Sequence, residues 1–260
     1  ENMSQAPWTL RRDGPVLGDR TLIDSMLHDG LECAFSGESM GVVADNLARR
    51  AAITREAQDR YAVESHRRAV AASSAGLFQK EIAPVSVAQR GQSTTVSTDE
   101  GPRADCDLAR LSSLRPAFGG DGSVTAGNAS MISDGAAAVV VASASAAEKL
   151  GRKPLARIVA SATAGGEPAD LFTAPVVAIR QVLARAGRSI GDVDLFEINE
   201  AFAVQMLACV QQLELPLDRV NVFGGAIALG HPIGASGARV LTTLLSALEQ
   251  RQLRTGVASL

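Results

Sequence analysis

The feature that most constrains this chain is a glycine-rich segment near its C-terminal end, residues 224–239, with the sequence GGAIALGHPIGASGAR. The residues before it, 220–223, alternate like a short strand, and leucines recur after it at helical spacing. Glycines let a backbone approach a ligand closely, and a following helix offers unpaired N–H groups. The segment therefore predicts either a ligand-facing loop whose histidine moves a proton, or a structural turn around a core histidine.

The second half of the chain alternates strand and helix patterns, which predicts a sheet layered with helices and so an α/β fold. The dipeptide Asn199-Glu200 directly follows a predicted strand. Active sites of open α/β sheets lie at the carboxyl ends of strands, so this dipeptide is a candidate site. The predicted strands are 155–163, 194–198, 220–223 and 256–260, and the predicted helices are 175–186, 201–213 and a last helix ending near 250.

The first half lacks this alternation, and we interpret residues 1–130 mostly as a lid-like excursion from a sheet domain. Thr54 is typical of a helix N-cap, with Glu56 in the first turn that follows. Pro84 indicates an edge strand. The predicted elements are helices 41–52 and 54–74, a strand over 81–89, a polar, turn-rich region over 90–107, and a strand buried on both faces over 136–142.

Composition excludes several classes of function. The chain has 260 residues, 46% of them hydrophobic and only 3% aromatic, which suits a core of small aliphatic side chains. The net charge of -3 and the pI near 5.7 give no electrostatic case for binding nucleic acid or anionic membranes. No apolar run is long enough to predict a transmembrane span, and the first residues do not resemble a signal peptide.

The three cysteines, Cys33, Cys106 and Cys209, are widely spaced and form no C-x-x-C pair. This spacing argues against a disulfide framework and against a zinc site, so no metal is predicted. Each cysteine is interpreted as a core residue or a surface thiol rather than a nucleophile. The pattern suits a reducing compartment, and we expect a cytoplasmic protein, or one of the mitochondrial matrix or peroxisome in a eukaryote.

Two motifs carry a family resemblance. Residues 224–239 resemble the C-terminal signature loop of the thiolases, which transfer acyl groups to and from coenzyme A, and residues 199–202, Asn-Glu-Ala-Phe, resemble their second catalytic motif. The resemblance implies a layered α/β/α fold, incomplete in this chain, with an inserted loop (lid) domain. It divides the chain into a mainly substrate-binding lid domain over 1–133, the end of the N-terminal half over 134–153, and a C-terminal half over 154–260 without its last strands.

The resemblance also assigns candidate catalytic residues. It implies that His231 serves a nucleophilic cysteine and helps to form an oxyanion hole. Asn199 would orient a water molecule in the same hole, and Phe202 would line the pocket.

Five further positions match substrate contacts of the family. Met40 matches a residue at the acyl end of the pocket. Phe118, in the sequence L-R-P-A-F, matches a phenylalanine that packs on the pantetheine arm of coenzyme A, and Ala126 and Ser130 match pantetheine contacts. Arg103 matches an arginine near the nucleotide, a side chain whose planar donors suit phosphate oxygens.

The two catalytic cysteines of the family are not found at their motifs. By the resemblance, the nucleophile would precede Glu1 and the acid/base cysteine would follow Leu260, which indicates a chain truncated at both ends and inactive in isolation. Coenzyme A would act as a substrate, with acyl-CoA, and no cofactor is expected. The full-length parent would be a homodimer or homotetramer.

Three functions remain open at this stage. The first is acyl transfer between coenzyme A thioesters, by thiolysis of 3-ketoacyl-CoA or by the reverse Claisen condensation of acetyl-CoA. The second is a non-catalytic acyl-CoA-binding protein. A ketoacyl synthase is a weaker third, because those enzymes pair two histidines, and His28 and His66 are expected on solvated surfaces. Ser39, where many relatives have a histidine, favours a longer-chain substrate only weakly and leaves degradative and biosynthetic roles open.

Overall fold

The computed structural model of the chain describes residues 1–10, 17–89 and 91–260. Its first half is mainly helical, with two small antiparallel pairs of strands. In chain order the elements are β1 (Trp8–Thr9), β2 (Ile23–Asp24), a π-helical turn (Met26–Leu31), α1 (Met40–Arg50), α2 (Arg55–Ser74), β3 (Val85–Gln89), β4 (Gln92–Val96) and α3 (Leu108–Ser112).

The second half contains a parallel pair of strands packed among helices. Its elements are α4 (Ala144–Lys149), a 3-10 turn (Pro168–Thr173), α5 (Ala174–Ala186), a 3-10 turn (Ile190–Asp192), β5 (Leu195–Ile198), α6 (Ala203–Leu213), a 3-10 turn (Leu217–Arg219), α7 (Ala226–Leu229), α8 (Ile233–Gln250) and β6 (Gly256–Ser259). Strands β5 and β6 run parallel, with Leu195 opposite Gly256 and Ile198 opposite Ser259.

The layers follow from the alternation of side chains along β5, which is buried throughout. Phe196 and Ile198 pack in a core cluster with apolar residues of α5 and α6. Leu195 points the other way, into a cluster with Leu244 of α8. Because successive side chains of a strand face opposite sides, β5 lies between a layer of α5 and α6 and a layer that contains α8.

The two helices predicted in the first half are present, with the predicted cap at Thr54 and a second cap at Ser39. The Ser39 hydroxyl accepts a hydrogen bond from Val42 N at the start of α1, and Thr54 does the same from Ala57 N at the start of α2. Each cap satisfies a backbone donor that the first turn leaves unpaired. Helix α2 ends at Ser74, as predicted, and α5 ends at Gly187, whose φ of +64° is the left-handed conformation favoured for glycine.

Two predicted strands are wrong. Residues 136–142 and 155–163 are not paired with any strand in the described part of the chain. Instead of being buried on both faces, Val140 is 96% exposed and Leu155 is 85% exposed. A β-branched, apolar run favours extended backbone, but a strand also requires a neighbour to accept and donate its hydrogen bonds.

Smaller corrections concern element boundaries. Residues 220–223 form only isolated bridges, because Asn221 has a φ of +45° that interrupts an extended backbone. Strand β4 lies in the region predicted to be turn-rich, and the predicted edge strand begins only at Val85, after Pro84. Helix α8 begins inside the glycine-rich segment, so Gly234 and Gly237 are helical.

None of the helices in the described ranges is both long and apolar enough to cross a membrane.

Candidate active site

The two candidate catalytic residues meet at the carboxyl end of β5. Asn199 directly follows the strand, and its backbone N–H extends the parallel pairing by donating to Ser259 O at 2.9 Å. His231 lies between α7 and α8, after Gly230, whose φ is +97°. The Asn199 Nδ2 and His231 Nε2 atoms are 3.2 Å apart. The fold therefore brings together two side chains that are separated by 32 positions in the sequence.

The hydrogen bonds of His231 define its tautomer. Its Nδ1 lies 2.6 Å from Ser236 Oγ, and that hydroxyl donates its own proton to the carbonyl oxygen of Pro232 at 2.9 Å. Because the serine proton is already used, Ser236 Oγ accepts from Nδ1–H. The Nε2 atom of His231 is then the unprotonated nitrogen and accepts from the Asn199 amide.

The surroundings keep the imidazole neutral. Burial, and to a smaller extent the positive charge of Arg239, lowers the pKa of His231 to about 4. Asn199 Oδ1 is also buried, and it has no hydrogen-bond donor among the described residues. The pair thus combines a nitrogen lone pair with an amide oxygen that can still accept a hydrogen bond.

Glu200, next to Asn199, is a buried carboxylate with four donors. Its Oε1 accepts from Tyr61 Oη at 2.9 Å and from Asn221 Nδ2 at 3.0 Å. Its Oε2 accepts from Ser65 Oγ at 2.7 Å and from the backbone N–H of Ile227 at 3.1 Å. These bonds join the end of β5 to α2 and α7. Burial and the Glu200 charge raise the pKa of Tyr61 well above its usual value.

The Asn221 side chain pairs with the last residue of β5 in the way that a neighbouring strand would. Its side chain accepts from Ile198 N at 2.8 Å and donates to Ile198 O at 2.8 Å, so one amide group satisfies both backbone groups of that residue. Gly225 approaches the Glu200 carboxylate so closely that a Cβ atom would overlap it. Glycine is therefore required at this position of the loop.

The segment matching the pantetheine contacts is attached directly to the second motif. Ser130 N donates to Ala201 O at 3.0 Å, and Ala203 N donates to Asn128 O at 2.9 Å. Ser130 is therefore held beside the motif, whereas Ala126 lies exposed at the start of the same turn. Both candidate residues are on a segment whose position is set by the chain that follows Asn199.

The three apolar candidates lie in or near the first half's helical core. Phe202 is buried and makes an edge-to-face contact with Phe172, with 5.2 Å between ring centroids. Met40 packs against the same core cluster. The Phe118 ring, which is 41% exposed, lies flat against Gly41, where a Cβ atom would overlap the ring.

Arg103 is tied to the fold through its backbone. Its N–H donates to Nδ1 of His66 at 3.2 Å, and its side chain is exposed. The prediction that His66 is solvated is wrong, because His66 is a buried residue of α2 and only 5% exposed. Burial and the neighbouring Arg103 charge lower the pKa of His66. His28, by contrast, is exposed and lies beside Asp29.

A buried polar network supports the candidate pantetheine turn, and the sequence analysis did not identify it. Asp45 accepts from the backbone N–H groups of Ser123 at 2.7 Å and Val124 at 2.9 Å. Asn128 Nδ2 donates to Asp59 Oδ1 at 2.9 Å. The available signal was an aspartate on the apolar face of each predicted helix, since a buried charge needs partners.

The three cysteines are all described, and none of them hydrogen-bonds to Asn199 or His231. Cys209 is buried in α6, where its thiol approaches Phe172 O at 3.5 Å, and burial raises its pKa to about 11. Cys106 packs beside the cluster of Leu111 and Ile227, and Cys33 lies in a surface turn. Their interpretation as core or surface thiols is consistent with these positions.

Comparisons with known proteins place this chain in a family of acyltransferases. Residues 1–145 match the thiolase N-terminal domain, and residues 152–260 match the thiolase C-terminal domain. The chain is 50% identical to an acetyl-CoA acetyltransferase of Pseudomonas aeruginosa, over 100% of this chain and 67% of that protein. A probable acetyl-CoA acetyltransferase of Escherichia coli is also 50% identical, with the same coverage.

Solved structures show the same relationship. A Bacillus anthracis acetyl-CoA acetyltransferase superposes with a TM-score of 0.94 at 42% identity, over 98% of this chain and 65% of that one. Human mitochondrial 3-ketoacyl-CoA thiolase superposes with a TM-score of 0.92 at 38% identity, over 100% and 66%. The chain belongs to the thiolase family and has its layered α/β fold, as predicted. It spans about two thirds of the length of these relatives.

Proposed function

We propose that this chain provides the histidine and asparagine of an active site that transfers acyl groups between coenzyme A thioesters. The reaction would be thiolysis of a 3-ketoacyl-CoA, or in reverse the Claisen condensation of acetyl-CoA. The observation that carries the proposal is the 3.2 Å contact between Asn199 Nδ2 and His231 Nε2 at the end of β5. The similarity of the chain to proteins named as acetyl-CoA acetyltransferases also supports the proposal.

His231 would act first as a base and then as a donor. In the neutral tautomer, Nε2 can take the proton of a thiol as the sulfur attacks the substrate carbonyl and the S–C bond forms. The resulting imidazolium has an N–H at Nε2 that can donate to the carbonyl oxygen as negative charge develops there. The lowered pKa keeps His231 in the neutral starting form at neutral pH.

Asn199 would complete the oxyanion hole through water. Its Oδ1 is buried and lacks a protein donor among the residues described, which suits an acceptor that holds a water molecule. That water can direct a proton towards the same carbonyl oxygen. Donors fixed before the reaction stabilise the developing charge without reorganisation in the transition state.

The candidate substrate residues would follow the length of coenzyme A. Ser130 lies beside the second motif, Ala126 is exposed at the start of the same turn, and Phe118 offers a half-exposed ring for the pantetheine arm. Met40, in the cluster around Phe202, suits the apolar acyl end. The exposed guanidinium of Arg103 can bind phosphate oxygens in the nucleotide part.

The acyl-accepting thiol would come from outside these 260 residues. The reaction requires a thiolate and a second group that moves a proton, and none of the three cysteines hydrogen-bonds to His231 in the described structure. Coenzyme A is the substrate, and the steps above use no metal or further cofactor. We also propose a location in the cytoplasm, or in the mitochondrial matrix or peroxisome of a eukaryote; the bacterial and mitochondrial relatives support the first two. The homodimer or homotetramer is proposed from the family resemblance alone.

A kinetic test uses acetoacetyl-CoA thiolysis by the protein expressed from its complete gene. His231→Ala and Asn199→Ala are expected to lower kcat by roughly 100-fold or more, because each removes charge stabilisation at the reacting carbonyl. Coenzyme A binding, measured by calorimetry, should persist in both variants. His28→Ala is the matched control, since that histidine is exposed. Unchanged kcat in His231→Ala, or coenzyme A binding without turnover by the parent, would contradict the proposal.

A further inference from the structure

A buried ion pair lies behind the candidate catalytic pair. Arg239 Nη1 on α8 and Glu197 Oε1 on β5 are 3.1 Å apart, and the side chains are 20% and 2% exposed. Taking two charges out of water is costly, and removing one partner of such a pair leaves the other uncompensated. The contact links α8 directly to β5, and loss of either side chain would leave the other buried without its partner.

The ion pair is adjacent to both candidate catalytic residues. Glu197 precedes Asn199 by two positions on β5, so their side chains leave the strand in the same direction. Arg239 follows Ser236 by three positions on α8, which places it on the same helix face, one turn beyond the hydroxyl that binds His231. Glu197 thus lies next to Asn199 on β5, and Arg239 lies next to the α8 residue that binds His231.

We propose that Arg239 is a positioning residue, whose ion pair with Glu197 fixes α8 against β5 and so holds His231 at hydrogen-bonding distance from Asn199. Arg239 does not contact the reacting atoms. It acts through the elements that carry them, and its positive charge also disfavours a second positive charge on His231. The inference rests on the proposed function for its catalytic meaning, but it can be tested without turnover.

The charged groups around the ion pair are mostly acidic. Glu81, after α2, and Asp99, after β4, face Arg239, while Glu200 adds its charge on the Glu197 side. Burial raises the pKa of Glu197 to about 8 and that of Glu81 to about 7. Below these values the carboxyls bind protons, and Arg239 Nη1 then donates to an oxygen of a neutral Glu197 carboxyl. The contact between α8 and β5 therefore remains, as does the positive charge of Arg239 beside His231.

Arg239 keeps a constant charge in this buried setting. Besides Nη1, which binds Glu197, Arg239 has a second buried nitrogen, Nη2, with no acceptor among the described residues. Glu81 Oε1 is likewise buried without a donor there. Arginine keeps its proton in any protein environment, so its charge does not vary as the surrounding carboxyls titrate.

The test is an NMR titration of the 260-residue chain labelled with ¹⁵N in its histidines and asparagines. The chain has three histidines, so the imidazole signals of His28 and His66 report independently on folding. Arg239→Met removes the charge and keeps an apolar stem. It is expected to shift the Asn199 side-chain amide signal and to raise the titration midpoint of His231 by roughly half a pH unit or more.

Three other variants separate charge from position. Arg254→Met removes the same charge from an exposed side chain and should change neither signal. Glu197→Met breaks the ion pair but keeps the cation, so it should shift the Asn199 amide signal without raising the His231 midpoint. Arg239→Lys keeps the cation and should retain the low midpoint.

If Arg239→Met does not fold, Arg239→Gln gives the same readout with a side chain that can still donate to Glu197.

Either of two results would overturn the inference. An Asn199 amide signal and a His231 midpoint that stay at wild-type values in Arg239→Met would exclude a positioning role. A midpoint that rises equally in Glu197→Met would show that hydration, not the charge of Arg239, controls His231. Neither result bears on whether the protein catalyses acyl transfer, which is tested separately by turnover.

Discussion

At the scale of single residues, the chemistry of this site depends on neighbours that the motifs do not reveal. The sequence singled out Asn199 and His231, but Ser236 decides which nitrogen of His231 carries the proton. Glu200 belongs to the same motif as Asn199, yet its four donors come from α2, the turn at Asn221 and the start of α7. A motif therefore identifies candidate residues, and the tertiary contacts of each residue determine its role.

Glu200→Gln is predicted to destabilise the protein by about 2–3 kcal/mol. Asn221 Nδ2 and Ile227 N can only donate, and they bind different oxygens of Glu200. An amide places an NH₂ group where one of the two oxygens was, so one donor would face another donor. Urea unfolding measures the loss.

The matched control for this variant is Glu148→Gln, at an exposed position of α4, which should change stability by no more than about 0.5 kcal/mol. If the Glu200→Gln protein is as stable as the wild type, the four donors around residue 200 do not require a carboxylate.

At the scale of elements, α1 and α2 position the loops that carry the candidate substrate contacts. Both helices have capped starts, of which the sequence predicts the one at Thr54, and both use a buried aspartate to bind the turn at residues 123–128. Close packing adds a further constraint, since the Phe118 ring lies on the bare backbone of Gly41 in α1.

Gly41→Ala is predicted to displace the Phe118 ring and to weaken coenzyme A binding by about 1–2 kcal/mol, roughly ten-fold. The added methyl group would occupy space that the ring fills. Calorimetric titration with coenzyme A measures the change in affinity.

Gly120→Ala is the control for Gly41→Ala, because no atom lies within 4 Å of a Cβ at position 120. Wild-type affinity is expected in this control. If both variants bind coenzyme A like the wild type, Phe118 does not contact the ligand.

At the scale of the whole molecule, buried titratable groups make stability depend on pH from two directions. Burial raises the pKa of Glu197 from 4.5 to about 8. The contribution of Glu197 to the free energy of unfolding is therefore complete below pH 4.5 and is lost as the pH rises through about 8. His231 acts in the opposite sense. Its pKa is lowered from 6.5 to about 4, so stability is lost as the pH falls through that range.

Glu197→Gln is predicted to flatten the alkaline side of the stability curve. The wild-type free energy of unfolding should fall between pH 5 and pH 8 by an amount on the order of a few kcal/mol, and the variant should lose most of this slope. Urea unfolding at several pH values measures it, with the exposed Glu249→Gln as the control. A variant with the wild-type slope would show that Glu197 does not bind a proton in this range.

The sequence by itself determined the helix cap at Thr54, the strand at Leu195–Ile198, and the two motifs that indicate the thiolase family. These features depend on local hydrogen bonding, on side-chain periodicity or on motifs read along the chain, so neighbouring residues suffice to predict them.

Only the tertiary structure decided which predicted strands are paired, and here residues 136–142 and 155–163 are not. It also decided the burial of His66, the tautomer of His231, the replacement of a strand by the Asn221 side chain, and the Glu197–Arg239 ion pair. The physical reason is common to all of them. Hydrogen-bond partners, exclusion of water and charge interactions come from residues distant in the sequence, so they exist only once the chain has folded.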